Sequence, residues 1–156
     1  MNTSATSNTT NPSPSPLAGL VVIELGHSVA APFAAQVLGD LGAEVIKIEK
    51  AGGDDARKWG PPFIDGSAAV FQSWVLDLRN ESDRSRLIEL IVERADVVLQ
   101  NMRPGQVDEL GLDAASLRAL KPSLIYCNMG AFGAGGPMSQ RPGYDPLMQA
   151  FGGIMS

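Results

Sequence analysis

The sequence predicts an α/β fold, a Rossmann-like parallel sheet with helices on both faces. Short β-branched apolar runs alternate along the chain with segments whose apolar residues recur at helical spacing. Turns containing Gly, Pro or Asn separate the runs. Strands that alternate with helices in this way are typical of parallel sheets joined by right-handed crossovers.

The first strand, helix and second strand are predicted from adjoining segments. The first strand is LVVIEL (20–25). Pro32 fits the first turn of a helix that ends at Gly42. AEVIKIE (43–49) is the second strand, with Lys47 between apolar residues.

The pattern repeats after an irregular stretch rich in Gly and Pro. A helix is predicted from Ser82 to Arg94, and ADVVLQN (95–101) is the third strand. Asp113 caps a short helix, and SLIYCNM (123–129) is the fourth strand. We expect these four strands to share one direction.

The end of the chain predicts one more helix. It begins at DPLMQA (145–150), where Asp145 is expected to be the N-cap residue ahead of Pro146.

Composition limits the classes of function. The chain has 156 residues, 44% of them apolar, and a net charge of -5, which fits one globular domain and argues against electrostatic binding of nucleic acid or an anionic membrane. Residues 1–16 are uncharged and rich in Ser, Thr, Asn and Pro, so we expect a disordered tail before a domain over 17–156. The single cysteine, Cys127, is expected to be a buried structural thiol, which fits a reducing cytoplasm.

In parallel sheets of this kind, ligands bind beyond the carboxyl ends of the strands. The loops there are GHSVAAP, EKAGGDDAR, NMRPG and GAFGAGGP. His27 is either a site residue or a satisfied loop side chain, and the glycines of the fourth loop either approach a ligand or only form turns. The carboxylates of this chain's loops are expected to be solvated or to cap helices, namely Asp54, Asp55, Asp108 and Glu109. No dinucleotide, P-loop, zinc-protease or nucleophile-elbow motif is present in the sequence.

Taken together, the loops resemble a known family. The stretch from LAGLVVIELGHSVAAP to EKAGGDDAR, followed by GPPF, ADVVLQNMRPG, LGLD, KPSLIYCNMGAFGAGGP and GYDPLMQAFGG, is similar to the opening third of the class III CoA-transferases. That family includes formyl-CoA transferase, the carnitine CoA-transferases and α-methylacyl-CoA racemase. The resemblance implies binding of coenzyme A at the strand ends, no metal, and an interlocked homodimer of the full-length protein.

The resemblance also implies which residues contact CoA. They lie in the loops after successive strands: His27, Ser28, Val29 and Ala30; Lys50; Leu76, Asp77, Leu78 and Arg79; Asn101, Met102 and Arg103; and Tyr144 near the acyl thioester.

Two departures from the family pattern concern the phosphates and the pocket wall. Glu109 stands where formyl-CoA transferase has an Arg, so that cation is lost or its role passes to Arg103 or Arg57. Several residues that the family carries before Leu76 are missing here.

The reaction implied is transfer of CoA between an acyl-CoA and a carboxylic acid, through an aspartyl anhydride and an aspartyl-CoA thioester. In the racemases the position of Tyr144 is a His acting as acid and base, a role that the pKa of a tyrosine fits poorly at neutral pH. The family's aspartate nucleophile lies beyond Ser156, so the domain is expected to be incomplete and inactive alone. The alternatives are a non-catalytic module that binds CoA or a nucleotide, and an acyl-CoA racemase.

Overall fold

The structure is a computed structural model that describes residues 15–59 and 71–155. Nearly all of the predicted tail and the GPPF segment (60–63) lie outside the described residues. Within the described ranges, no helix combines the length and apolarity needed to cross a bilayer.

A single parallel sheet organises the chain. Its five strands pair in the order β3-β2-β1-β4-β5, and every pairing is parallel. The shared direction of the four predicted strands is therefore confirmed. The strands are β1 (Val21–Glu24), β2 (Glu44–Glu49), β3 (Phe71–Val75), β4 (Val97–Gln100) and β5 (Ile125–Asn128).

The helices begin where the sequence offers a suitable first residue. Asn80 caps α2 by accepting a hydrogen bond from the N–H of Ser82, and Asp113 caps α4 by accepting from Ala115 and Ser116. Gly105, in the left-handed conformation at a φ of 82°, precedes α3. The helices are α1 (Ala30–Asp40), α2 (Glu81–Arg94), α3 (Gln106–Glu109), α4 (Ala114–Leu120) and α5 (Asp145–Phe151), with a 3-10 helix over Asp55–Lys58.

The apolar core lies on both faces of the sheet. On one face α2 and α4 bury Leu87, Ile91 and Leu117 against Ile23 and Ile46. On the other face α1 packs Ala35 against β1, β2 and β4 through a smaller cluster: Val22, Ala43, Val45 and Leu99. Alternate residues of each inner strand point to opposite faces, as the period of a strand requires.

The strand order reverses between β1 and β4. From β1 the chain crosses over α1 to β2, which lies on one side of β1, whereas from β3 it crosses over α2 to β4, which lies on the other side. Neighbouring connections that diverge in this way leave a crevice at the carboxyl ends of the two strands. The turn after β1 and the loop after β4 border that crevice.

Several details differ from the sequence predictions. β3 lies at the end of the stretch predicted to be irregular, and it is an edge strand with one partner. Tyr144, with an extended backbone, is the N-cap of α5, so Asp145 is already helical and is not the cap. Cys127 on the edge strand β5 is half-buried rather than buried. Asp54 caps the 3-10 helix, which is one of the two roles expected of it, and it is 8% exposed.

Candidate functional site

A cavity of about 1310 Å³ occupies the crevice at the carboxyl ends of β1, β4 and β5. Its walls come from the turn after β1, the loop after β4, the glycine-rich segment after β5 and the start of α5. Typical pockets for drug-sized ligands have volumes of about 300–1,000 Å³. The cavity therefore has room for a ligand as large as a nucleotide derivative.

Asn101 links the two strands that border the crevice. Its Oδ1 accepts a hydrogen bond of 2.9 Å from the N–H of His27, and its Nδ2 donates one of 2.9 Å to the carbonyl of His27. Both polar atoms of the Asn101 side chain therefore bond to the backbone of a single residue, His27. The loop after β4 fixes the turn after β1 through this side chain.

Gly26 allows the turn to approach its surroundings closely. A Cβ at this position would overlap the side chain of Ala31 and would lie 2.5 Å from Asn101 Oδ1 and 2.8 Å from Glu24 Oε1. Real Cβ atoms do not come this close to other heavy atoms, so glycine is required here for lack of space.

Ser28 has an unusual backbone conformation. Its φ is 65°, in the left-handed region that non-glycine residues seldom adopt. Its N–H lies 3.1 Å from each carboxylate oxygen of Asp54, and its Oγ lies 3.1 Å from His27 Nδ1. Asp54, in the loop after β2, therefore holds the turn from the side opposite Asn101.

A buried lysine connects this carboxylate to the sheet. Lys47 Nζ lies 2.5 Å from Glu24 Oε2 and 3.1 Å from Asp54 Oδ2, and it donates to the carbonyl of Gly26 at 3.2 Å. The three charged side chains are at most 6% exposed. One ammonium therefore contacts two carboxylates beneath the turn.

The two carboxylates respond to this environment in opposite directions. Burial raises the pKa of Glu24 despite the contact with Lys47, and Glu24 Oε1 has no hydrogen-bond partner within residues 15–59 and 71–155. Burial also acts to raise the pKa of Asp54, but hydrogen bonds from the N–H groups of Ala56 and Ser28 and from Lys47 outweigh it and lower that pKa. Asp54 is the carboxylate that the fold holds ionised.

Cations without a partner are concentrated at the cavity. Six of the twelve Lys and Arg side chains pair with carboxylates, and three more donate to backbone carbonyls or lie over a tryptophan ring. Among the described residues, Arg103, Arg118 and Arg141 have no such partner. Arg103 and Arg141 line the cavity, whereas Arg118 lies on α4.

The structure brings eight of the thirteen proposed contact residues together around the cavity. They come from three segments of the chain: His27, Ser28, Val29 and Ala30; Asn101, Met102 and Arg103; and Tyr144.

The other five proposed residues do not line this cavity. Lys50 is exposed and pairs with Asp55 at 3.0 Å, and Arg79 pairs with Asp77 at 3.0 Å. Leu76 is 4% exposed within the apolar core, and Leu78 packs against the same core. The side chain of Leu76 is therefore not available to a ligand.

The two candidates for the missing phosphate cation also differ. Arg57 is engaged with both carboxylate oxygens of Glu49 at 3.0 Å. Arg103 lines the cavity and has no carboxylate partner among the described residues. Glu109 ends α3 and does not line the cavity.

Several cavity residues were not singled out by the sequence analysis. Gln100, Phe132, Arg141 and Met148 line the cavity together with Trp59. Gln100 could have been found from its position at the carboxyl end of a predicted strand, and Phe132 lies in the glycine-rich loop already noted. Nothing in the local sequence distinguishes Trp59 or Arg141 from ordinary loop residues. Over the described ranges, no three His, Cys, Asp or Glu side chains are grouped closely enough to hold a metal ion.

Comparison with known proteins identifies relatives of this chain. It is 43% identical over 155 residues to a succinate–glutarate CoA-transferase of Agrobacterium fabrum and 42% identical over 148 residues to an acetyl-CoA:oxalate CoA-transferase of Acetobacter aceti. Each alignment covers 90% of this chain and 38% of the relative. The chain thus spans about two fifths of the length of these curated relatives.

Solved structures show the same fold. A CAIB/BAIF family protein from Brucella suis superimposes with a TM-score of 0.82 at 46% sequence identity, over 92% of this chain and 40% of the other. The sequence pattern of CoA-transferase family III matches residues 17–156. The resemblance noted in the sequence is confirmed, and the chain belongs to CoA-transferase family III.

Proposed function

We propose that the protein is a CoA-transferase that moves CoA between an acyl-CoA and a carboxylic acid, and that residues 17–156 supply CoA-binding groups. The observation that carries the proposal is a pair of arginines, Arg103 and Arg141, which pair with no carboxylate of the described chain and line a large cavity where the strand order reverses. CoA is a polyanion, and this chain has a net charge of -5 and no general attraction for one. Local cations at the crevice supply the attraction that the whole chain lacks.

The first turn of α1 adds to this attraction. The helix begins at the cavity with Ala30, and its N-cap residue is Val29, whose side chain has no atom that could accept a capping hydrogen bond. Uncapped N–H groups and the helix dipole favour a negatively charged group at this end. The phosphates of CoA are suited to this position.

The chemistry that we propose is covalent transfer through an aspartate. The carboxylate attacks the thioester carbonyl, forming a mixed anhydride and releasing CoA thiolate; the thiolate then attacks the enzyme's carboxyl carbon, releasing the acyl group as a carboxylate. The acceptor carboxylate attacks the resulting aspartyl-CoA thioester and yields an acceptor-enzyme anhydride and free thiolate, which recombine to give the new acyl-CoA and the original aspartate.

We do not assign this nucleophile to the described residues. Asp145 lines the cavity, but it lies in the first turn of α5 with its Oδ2 accepting a 2.5 Å hydrogen bond from Gln149. Asp108 lies in the short helix α3. We therefore propose that the 156-residue chain binds CoA without catalysing transfer.

The relatives support a dicarboxylic acid as one substrate. Those cited above are named for succinate, glutarate and oxalate, and another relative is named for D-citramalate. A short dicarboxylate has one carboxylate to accept CoA and a second that a cation can bind. The substrate class proposed is therefore a short dicarboxylic acid and its CoA thioester.

Calorimetric titration with CoA tests the binding assignment. Arg103→Gln and Arg141→Gln should each weaken binding by about tenfold, because a hydrogen bond to a charged group contributes about 1.5–3 kcal/mol. Arg118→Gln removes a cation on α4 that also lacks a carboxylate partner in the described part of the chain, and it should leave the affinity unchanged because Arg118 does not line this cavity. Equal affinities for all three variants and the wild type would contradict the site.

An exchange assay tests the catalytic assignment. With succinyl-CoA and glutarate, the 156-residue chain should transfer no CoA above a control without protein. Transfer by this chain that Asp145→Ala abolishes would make Asp145 the nucleophile. Absence of both transfer and CoA binding would contradict the function proposed for these residues.

A further inference from the structure

The turn at residues 26–29 holds a backbone conformation that its own sequence does not favour. A serine at a φ of 65° is strained, and such strain persists only where the surroundings enforce it. Asn101 fixes His27 from the side of β4, and both oxygens of Asp54 lie 3.1 Å from the N–H of Ser28. Of these two side chains, only Asp54 binds the strained residue itself.

Asp54 is in turn held in place by its own contacts. Its Oδ1 accepts a hydrogen bond from the N–H of Ala56 at 3.0 Å, and its Oδ2 lies 3.1 Å from Lys47 Nζ. Lys47 also donates to the carbonyl of Gly26 and contacts Glu24 on the neighbouring strand. The carboxylate therefore has little freedom to move away from Ser28.

We propose that Asp54, held by Lys47, is a positioning residue for the CoA site, fixing the strained turn so that Val29 and Ala30 form the cavity wall before the ligand arrives. This inference rests on the proposed function, since it assumes that CoA occupies the crevice. Asp54 is buried and does not line the cavity. It acts through the backbone of Ser28 and touches no ligand.

A positioning role differs measurably from a purely structural one. If the turn loses its single conformation, only a fraction of the folded molecules is competent to bind, and the apparent dissociation constant rises by the inverse of that fraction. If Asp54 only stabilises the fold, molecules that remain folded bind CoA normally. The two roles are separated by measuring affinity at a temperature where every variant is folded.

The experiment compares Asp54→Ala with Asp54→Asn and with Asp113→Ala. Asp54→Ala should weaken CoA binding by about tenfold. Asp54→Asn retains an oxygen that can accept from Ser28 and Ala56 but loses the contact with Lys47, so its loss of affinity should be smaller than that of Asp54→Ala. Asp113→Ala removes a capping carboxylate on α4, away from the cavity, and should bind CoA like wild type despite its lower stability. Wild-type affinity in a folded Asp54→Ala variant would overturn the proposal, as would an equal loss in Asp113→Ala.

Amide hydrogen exchange measured by NMR provides a readout that does not depend on CoA. Asp54→Ala should accelerate exchange at Ser28 and leave exchange at Leu117 in α4 unchanged. If the wild type fails to bind CoA, the proposed function fails, and exchange at Ser28 still decides whether Asp54 fixes the turn. Unchanged exchange at Ser28 in the folded variant would refute the positioning role. If Asp54→Ala does not fold, Lys47→Met provides the second comparison, with accelerated exchange at Ser28 expected.

Discussion

Lys47 makes contacts that its neighbours in the sequence do not predict. In AEVIKIE a lysine between apolar neighbours indicates a strand, but not what the ammonium contacts. Its partners Glu24 and Asp54 lie on a different strand and in a following loop, where they surround it at less than a tenth exposure. Burial of this kind depends on the crossover between β1 and β2, which no local pattern contains.

Replacing Lys47 should therefore be costly at neutral pH. Lys47→Met leaves two buried carboxylates without their cation and should lower the free energy of unfolding by about 3–5 kcal/mol at pH 7. Arg94→Met breaks the surface pair with Glu44 and should cost less than about 1 kcal/mol. Urea denaturation of both variants measures the difference, and equal losses would contradict the burial of the Lys47 cluster.

The same variant should show a defined pH dependence. The pKa of Glu24 is already raised by burial, and it rises further when Lys47 no longer favours the ionised form. In the folded variant Glu24 therefore keeps its proton at pH values above about 4.3, where the same group in the unfolded chain has released it. The free energy of unfolding of the variant therefore increases as the pH falls from 7 toward about 4.3. The deficit of Lys47→Met relative to wild type should be smaller at pH 5 than at pH 7, and a constant deficit would show that Glu24 does not titrate in this range.

Gly26 provides a second prediction at the residue scale. Gly26→Ala should lower the free energy of unfolding by about 1–3 kcal/mol, because the added methyl group meets Ala31, Asn101 and the buried carboxylate of Glu24. Gly135→Ala places its methyl group in open space at an ordinary φ and should be nearly neutral. Thermal denaturation of the two variants measures this contrast, and similar melting temperatures would mean that the turn can relax.

Among the elements, those with a strong local signal were predictable. The inner strands β1, β2 and β4 are buried on both faces and appear in the sequence as short apolar runs, interrupted in β2 by Lys47. β3 has a single partner, and its sequence FQSWV has neither a continuous apolar run nor strict alternation, so no local pattern separates it from the irregular stretch before it. The short helix α3 follows the left-handed Gly105, and a single turn of four residues has too few apolar positions to show a period.

The cap of α4, Asp113, was predicted correctly from the sequence, and it offers a test of a capping side chain. Asp113→Ala should lower the free energy of unfolding by about 1 kcal/mol, and Asp113→Asn should cost only a few tenths. Hydrogen bonds from the hydroxyl and the N–H of Ser116 lower the pKa of Asp113. The contribution of the ionised carboxylate is therefore present above the ordinary pKa of about 3.9 and is lost as the pH falls through the lower folded value. Urea denaturation at pH 7 and pH 3 measures the cost of each variant and its change with pH. An equal cost of Asp113→Ala at the two pH values would contradict the pH dependence.

At the scale of the whole molecule, the crevice combines segments that are far apart in sequence. The rule that ligands bind where parallel strands end placed the turn after β1 and the loop after β4 in the site, and both line the cavity. The rule does not say which strand ends share one cavity, because that follows from the strand order. β2 and β3 lie on one side of β1, and neither Lys50 nor Arg79 lines the cavity; Trp59 is the one residue of the described segment after β2 that does. The pairing of these two cations with Asp55 and Asp77 likewise depends on side-chain geometry.

The outer surface of α1 leads to a prediction about association. Phe33, Val37 and Leu41 follow one another at intervals of four residues and are 64%, 43% and 42% exposed, so they form one apolar stripe along the helix. Burying an exposed phenylalanine contributes about 1.5–3 kcal/mol, which corresponds to about tenfold or more in an association constant. The 156-residue chain should therefore self-associate as its concentration rises, and Phe33→Gln should weaken that association by about tenfold.

Leu120→Gln on α4, across the sheet, removes an apolar side chain of similar exposure, 58%, and should leave association unchanged. Sedimentation velocity over a range of concentrations measures the average mass, and a wild-type chain that stays monomeric throughout would show that the stripe does not drive association.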